Sequence, residues 1–175
     1  GAKALLAEAG YADGFDTMIT SWAQYSFLSN AAVVLQEQLK QIGINAELNL
    51  VENATMIADV HTPASKNFEL GVTGTSAYID PHPLISRNFL TGGTGNTMNY
   101  SNPDVDALIE QGMIESDLEA RAEIYRQIQQ HIIDDLPWVS LFVANQFESM
   151  KTDVKGYVHM ATGSNRFLKE TWLDR

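Results

Sequence analysis

The stretch from Phe15 to Leu50 constrains the fold more than any other. Within it, Ser26 to Ile42 carries Leu28, Ala31, Leu35, Leu39 and Ile42 at spacings of three and four. Such spacings put these side chains on one face of a helix. Gln36, Glu37, Gln38, Lys40 and Gln41 mostly fill the other side, and Gly43 stands where a left-handed residue closes a helix. Ile44 to Leu50 then alternates strictly, with Ile44, Ala46, Leu48 and Leu50 on one face of a strand. Before the helix, Phe15 to Trp22 sets Phe15, Thr17, Ile19 and Ser21 against Asp16, Met18, Thr20 and Trp22, a strand with both faces partly apolar. Strand, helix and strand within about 35 residues make a βαβ unit, and such a crossover requires parallel strands.

The rest of the chain extends this plan. Residues 2–9 form an alanine-rich helix, with Gly10 placed as its left-handed cap and residues 11–14 as a turn. The chain opens inside helix-like sequence, as expected of a piece of a longer protein. Asn53 is placed to cap a second helix running to about Lys66, and Phe68 to Thr73 is the third strand. Asn102 caps the next helix with Pro103 at its first position, and Val105, Leu108, Ile109 and Met113 form its apolar stripe. Asp117 caps a longer helix to about Asp134, with Leu118, Ala122, Tyr125, Ile128 and Ile132 on one face and Pro137 beyond its end. Trp138 to Val143 reads as a strand too apolar to be solvated on one side, Gln146 to Met150 as a further strand, and Lys151 to Tyr157 as a turn region. The pattern is an α/β domain, a mostly parallel sheet flanked by helices.

Composition narrows the function. With 175 residues the chain is long enough for one domain with its own core. A net charge of -11 without a basic cluster argues against nucleic acid and against anionic membrane surfaces. The absence of cysteine excludes disulfides, thiolate metal sites and a cysteine nucleophile.

In open parallel sheets, ligands gather beyond the carboxyl ends of the strands. Here those ends are Ser21 to Tyr25 and Thr75 to Asp80, followed by a glycine-rich loop from Leu90 to Asn96. Trp22, Gln24 and Tyr25 are placed to line a cleft, or to pack a core or hinge. Thr75 and Ser76 lie at the end of the third strand. Tyr78 either stacks on a ligand or covers the strand end. Asp80 either accepts a ligand N–H or caps the turn before Pro81. Asn96, Asn99 and Tyr100 either offer amide and hydroxyl contacts or hold the loop together. His82 is a lone imidazole, distant in sequence from His61, His131 and His159, whereas a transition-metal site needs convergent ligands. No metal site and no cofactor are expected.

Catalytic constellations are missing. The glycine-rich stretches lack the lysine of a phosphate-binding loop, and there is no Gly-x-Ser-x-Gly elbow and no His-Glu-x-x-His. Asp134-Asp135 sits at a helix end, most simply solvated. A small α/β enzyme remains the alternative from another class. An acidic helical face with Glu110, Glu115, Asp117 and Glu119 is either solvated or a protein-docking surface.

Five segments together carry a family resemblance. They are Ala2 to Tyr11 with Gly14-Phe15, Leu39 to Leu48, Asp80-Pro81 after an apolar strand, Tyr100 to Leu108, and Arg121-x-x-Ile-Tyr125 through Asp135 to Phe142 and then Val154 to Tyr157. In this order they resemble the C-terminal part of the bacterial extracellular solute-binding proteins of family 5, the peptide- and nickel-type proteins that deliver solutes to ABC importers. The resemblance implies one lobe of a periplasmic-binding-protein type II architecture. Residues 1–143 are then the C-terminal ligand-binding lobe, and residues 144–175 a returning tail that packs on an N-terminal lobe outside this chain. It implies reversible capture of a small organic solute or peptide by two lobes closing, without catalysis. It also implies an ABC importer's membrane subunits as partners, a monomer in the full-length form, and a periplasmic or cell-surface lipoprotein location in the bacterial envelope. A nickel or metal-chelate binding member is the alternative within the family.

One departure matters. Peptide-binding members often carry Trp-x-x-Asp shortly before Asp-Pro, with the Asp pairing a peptide amino terminus. The matching positions here hold Gly74 and Ala77, which puts a free-amine peptide in doubt unless Asp80 substitutes.

Overall fold

The computed structural model describes every residue except 63–66, 76–77, 146, 161–162, 164–165 and 175. The chain divides into two units, residues 1–74 with 86–106 and residues 75–85 with 107–175.

The first unit is built on the βαβ unit that the periodicity predicts. Strand β1 (Phe15–Trp22), helix α2 (Ser26–Lys40) and strand β2 (Ile44–Val51) follow helix α1 (Ala2–Glu8). β1 and β2 run parallel in one register from Phe15 opposite Ile44 to Trp22 opposite Val51. Helix α3 (Asn53–Asp59) leads to β3 (Leu70–Val72), which joins the other edge of β1, also parallel, giving the order β2-β1-β3. Ile19, Trp22, Leu28, Ala32, Ala46, Met56, Val60 and Val72 form the core, with Ala31, Leu35, Leu39, Leu48, Val51 and Phe68 packed against it. Full burial of a side chain such as Ile19 or Met56 contributes about 1.5–3 kcal/mol.

Short polar links finish the sheet. β3 begins only opposite Ile19, so the Met18 N–H has no strand beside it. The Glu69 carboxylate takes that proton at 2.8 Å and the Thr17 hydroxyl at 2.7 Å, and these two bonds draw its pKa below the ordinary value. On the other edge, the Gln36 amide donates to the Ala46 carbonyl at 2.6 Å. Gly14 has φ +78 and lies against the Gly43 carbonyl, so any side chain there would collide with backbone. Gly10 and Gly43 both adopt the positive φ predicted for helix stops.

Several boundaries and faces differ from the sequence reading. α3 stops at Asp59, and the predicted remainder to Lys66 falls largely outside the described residues. Asn53 is the first helical residue, not a cap; Glu52 is in the cap position, and no side-chain bond closes that end. Leu50, near the end of the edge strand β2, is exposed, and Val51 packs on the core instead.

Residues 81–89 form a helix, α4 (Pro81–Phe89), that the periodicity does not announce. Helix α5 (Pro103–Ile114) starts where expected, with Asn102 Oδ1 accepting from the Asp104 and Val105 amides. α6 (Leu118–Asp135) is capped by Asp117, which accepts from Glu119 and Ala120. Leu136 then turns left-handed at φ 48. The buried stripe of α5 passes through Val105, Ile109 and Gly112 rather than Met113, which is 70% exposed. The reason is that Gly112 lies against the Tyr125 ring. On α6, Ile124, Tyr125 and Ile128 are buried, but Leu118 is 81% exposed. The inward position of the first turn belongs to Arg121, one turn before Tyr125.

Trp138 to Val143 is not a strand, and Val143 is 96% exposed. Among the described residues no strand runs beside this segment to complete a ladder, so its apolar character alone does not make one. Residues 147–150 also form no strand, and Gln146 lies outside the described residues. Beyond them β4 (Val154–Lys155) pairs antiparallel with β5 (Trp172–Leu173) within the predicted turn region and the end of the chain. No helix among the described residues is long and apolar enough to cross a membrane.

Candidate functional site

The carboxyl ends of β1, β2 and β3 carry an organised aromatic group in the first unit. Trp22 closes β1 and is buried. A buried indole N–H needs an acceptor, and Asn53, directly after β2, supplies one at 3.1 Å. His61 stacks on the indole with centroids 4.9 Å apart and planes 29° apart. The His61 Nε2 is 2.9 Å from the Thr73 hydroxyl, just past β3. Asn53 and His61 therefore hold Trp22, and Thr73 in turn holds His61. Burial, and secondarily the Arg87 charge, holds the His61 pKa below its ordinary value. This favours a neutral imidazole.

Tyr25 extends the group toward solvent. Its ring meets Trp22 edge-on at 5.6 Å and Phe27 at 6.1 Å. Tyr25 precedes α2 and remains 44% exposed. Gln24 is exposed beside it. The sequence-derived trio is thus brought together, with Trp22 as the fixed base and Tyr25 as the accessible face.

Asn96 and Asn99 share the glycine-rich loop. Asn96 is buried, and its amide donates to the Leu90 and Tyr100 carbonyls at 3.0 and 2.7 Å while its oxygen accepts from the Tyr100 N–H at 2.9 Å. Asn99 is left-handed at φ 54. The loop folds back on the last turns of α4, where Gly95 N–H donates to the Arg87 carbonyl at 2.9 Å. A Cβ at Gly93 would press on the Arg87 and Ser86 carbonyls. The glycines permit this backbone approach, and Asn96 spends its amide on loop closure.

In the second unit, Asp80 precedes α4 and accepts the His82 N–H at 2.8 Å. Its two oxygens also receive Arg121 Nη1 at 2.8 Å and Nη2 at 2.9 Å. Arg121 Nε donates to the Gly112 carbonyl at 2.9 Å, and its guanidinium lies 4.9 Å from the Tyr125 ring centroid. Tyr125 Oη is 3.0 Å from His82 Nδ1 and 3.2 Å from Arg121 Nη2. The Arg121 bonds, helped by the His82 N–H, pull the Asp80 pKa down to about 2. Burial raises that of Tyr125. Thr75 and Tyr78 are exposed in this unit, and Ser76 lies outside the described residues. Among the described residues, no three His, Cys, Asp or Glu side chains cluster as metal ligands.

Asn53, His61 and Thr73 were not among the sequence candidates. The need of a buried Trp22 for an N–H acceptor is the signal that points toward Asn53. Arg121 appears in the sequence only within a motif and Tyr125 only there and on an apolar helix face, since their partners Asp80 and His82 lie about 40 residues earlier in the chain.

Comparison with known proteins gives the context. The family described as bacterial extracellular solute-binding proteins, family 5 (middle), matches residues 1–97, more than half of the 175 residues. The oligopeptide-binding protein AppA of Bacillus subtilis (strain 168) is 28% identical over 98% of this chain and 34% of its own length. The glutathione-binding protein GsiB of Salmonella choleraesuis (strain SC-B67) is 30% identical over 89% of this chain and 32% of its own length. The solved structure of the Bacillus subtilis oligopeptide-binding protein AppA in complex with a nonapeptide matches with a TM-score of 0.85 at 26% identity. That match covers 99% of this chain and 37% of that one. The chain spans about a third of the length of the curated relatives it matches.

Proposed function

The chain belongs to the bacterial extracellular solute-binding proteins of family 5, and we propose that it supplies one wall of a cleft that captures a peptide or small organic solute for an ABC importer. The observation that carries this reading is the grip of Asn53 and His61 on Trp22, with Thr73 bonded to His61, at the carboxyl end of a parallel sheet. It presents Tyr25 as a rigid, half-exposed face where such sheets receive ligands. The relatives AppA and GsiB, named for oligopeptide and glutathione binding, point to peptides as the solute class.

Capture proceeds by closure of a second lobe over this wall, and no bond in the solute is made or broken. Tyr25 and Gln24 meet the solute from the first unit. Asn96 and Asn99 shape the glycine-rich loop of the same unit, and in the second unit Thr75, Tyr78 and His82 are candidate solute contacts of their own. Asp80 already spends both oxygens on Arg121 and His82. Its part in the site is to fix the start of α4, and a solute amino terminus finds its counter-charge elsewhere. Residues 144–175 form the tail that packs on the other lobe, which accounts for exposed apolar side chains such as Phe147 and Met150. The working location is the bacterial envelope.

Calorimetric titration with a nonapeptide and with glutathione tests the reading. A full-length chain carrying this sequence binds at least one of them and releases it unaltered. Turnover of the solute, or a stoichiometric metal in protein purified without a histidine tag, contradicts it.

A further inference from the structure

The apolar stripe of α6 is only partly covered. Tyr125 is buried, but Ala122 and Leu118, one and two turns earlier on the same stripe, are exposed. These three side chains line a groove of about 320 Å³, together with Pro81 at the start of α4 and with Arg121 and Arg126. All of it lies within the second unit.

The cations of the groove are already committed. Arg121 gives Nε to the Gly112 carbonyl, Nη1 to Asp80, and Nη2 to Asp80 and Tyr125. Arg126 pairs with Glu123. What an occupant finds is chiefly the apolar surface of Leu118, Ala122 and Pro81, which favours an apolar side chain over an ionic ligand.

A second copy of the chain is a poor source of that side chain. It brings the same net charge of -11, and like charge repels. Stable association of separate proteins also takes about 20–30 residues a side, whereas a handful of side chains line this groove. A lobe joined to the same chain escapes that demand, because tethering supplies a high effective concentration. The chain spans about a third of the length of its curated relatives, so the remainder of such a protein can supply the lobe. Pro81 stands between Asp80 and His82 in the chain. A lobe that closes over Tyr78 and His82 therefore arrives beside the groove.

We propose that the groove between Pro81 and the first turns of α6 receives an apolar side chain of the other lobe when the full-length protein closes, with Leu118 as its main contact. The proposal rests on the two-lobe capture reading and adds a contact that belongs to closure rather than to the solute. Leu118 touches no solute and acts on affinity through the closed state.

The test uses a full-length chain carrying this sequence with Leu118→p-benzoylphenylalanine, irradiated with and without the nonapeptide and glutathione. Mass spectrometry should place the crosslink within the same molecule and outside these 175 residues, and a solute that binds should raise its yield severalfold. Crosslinks confined to the 175 residues, crosslinks to a second copy, or none at all overturn the docking, as does a yield that bound solute leaves unchanged. Leu118→Glu puts a charge into the groove from an exposed position, so melting of the solute-free protein should stay the same. Solute affinity should fall about tenfold, the scale of burying one leucine side chain. Unchanged affinity in that variant overturns the docking as well. A wild type that binds neither solute overturns peptide capture, and the crosslink then decides the docking by itself.

Discussion

Asp80 and Arg121 face each other in a two-pronged ion pair, Nη1 to Oδ2 at 2.8 Å and Nη2 to Oδ1 at 2.9 Å. The same carboxylate starts α4 and the same guanidinium holds the carbonyl of Gly112 near the end of α5. One pair thus ties α6 to the start of α4 and to the end of α5. Replacing Asp80 by Asn keeps the start of α4 but breaks the fork, and melting at pH 7 should fall by a few degrees. The Asp80 carboxyl is drawn from 3.8 to about 2, so the unfolded chain takes up its proton first. The pair's stabilisation is present above about pH 4 and lost as pH falls to about 2. Melting curves of wild type and Asp80→Asn should converge at the acid end; a constant gap contradicts the assignment.

Asn53 is the acceptor for a buried indole. Asn53→Ala leaves the Trp22 N–H unpaired and should cost about 1–3 kcal/mol. Denaturant unfolding measures the loss, and a shift in indole emission reports the changed surroundings of Trp22. An unchanged midpoint would show that Asn53 does not anchor the ring.

His61 titrates in the opposite surroundings from an exposed imidazole. Its pKa is lowered by burial and by Arg87, so the unfolded state binds the proton more readily. The stability it contributes is present above the ordinary imidazole range and is lost as pH falls through the lowered value. Proton NMR should show the His61 ring titrating below the ordinary imidazole value. His61→Phe should flatten the stability profile around pH 6 and keep a ring against Trp22. A steep profile in that variant assigns the acid sensitivity elsewhere.

Gly93→Ala tests the loop. The new methyl presses on the Arg87 and Ser86 carbonyls, and the strain should cost about 1–3 kcal/mol. Gly92→Ala meets nothing nearby, but its φ of +74 is unfavourable for alanine and costs on the order of 1 kcal/mol. If Gly93→Ala is the milder of the two by chemical denaturation, backbone approach is not what the loop needs.

The βαβ unit was legible because its pattern is local, with a helical stripe and a strict alternation set in sequence by burial on one side. α4 was hidden by its two prolines. Pro81 and Pro83 fall in the first turn, where N–H groups have no intrahelical partner, so neither breaks the helix. Trp138 to Val143 failed for the converse reason, since apolar strand-like sequence forms a ladder only where another strand lies beside it. At Leu50, Met113 and Leu118 the inward place goes instead to Val51, Gly112 and Arg121, which the apolar spacing alone does not reveal. In the candidate site, the strand-end rule picked out Trp22 and Tyr25, but not Asn53, His61 and Thr73. Asn53 and His61 are recruited from other segments by one indole, and Thr73 by His61.

The central claim is that this chain forms one wall of a two-walled cleft. Calorimetric titration of the 175-residue chain beside the full-length protein, with the same nonapeptide and glutathione, tests it most directly. The full-length protein should bind at least one, and the chain alone at least about 100-fold more weakly, a difference of roughly 2.7 kcal/mol. Equal affinity of the chain alone would contradict the account.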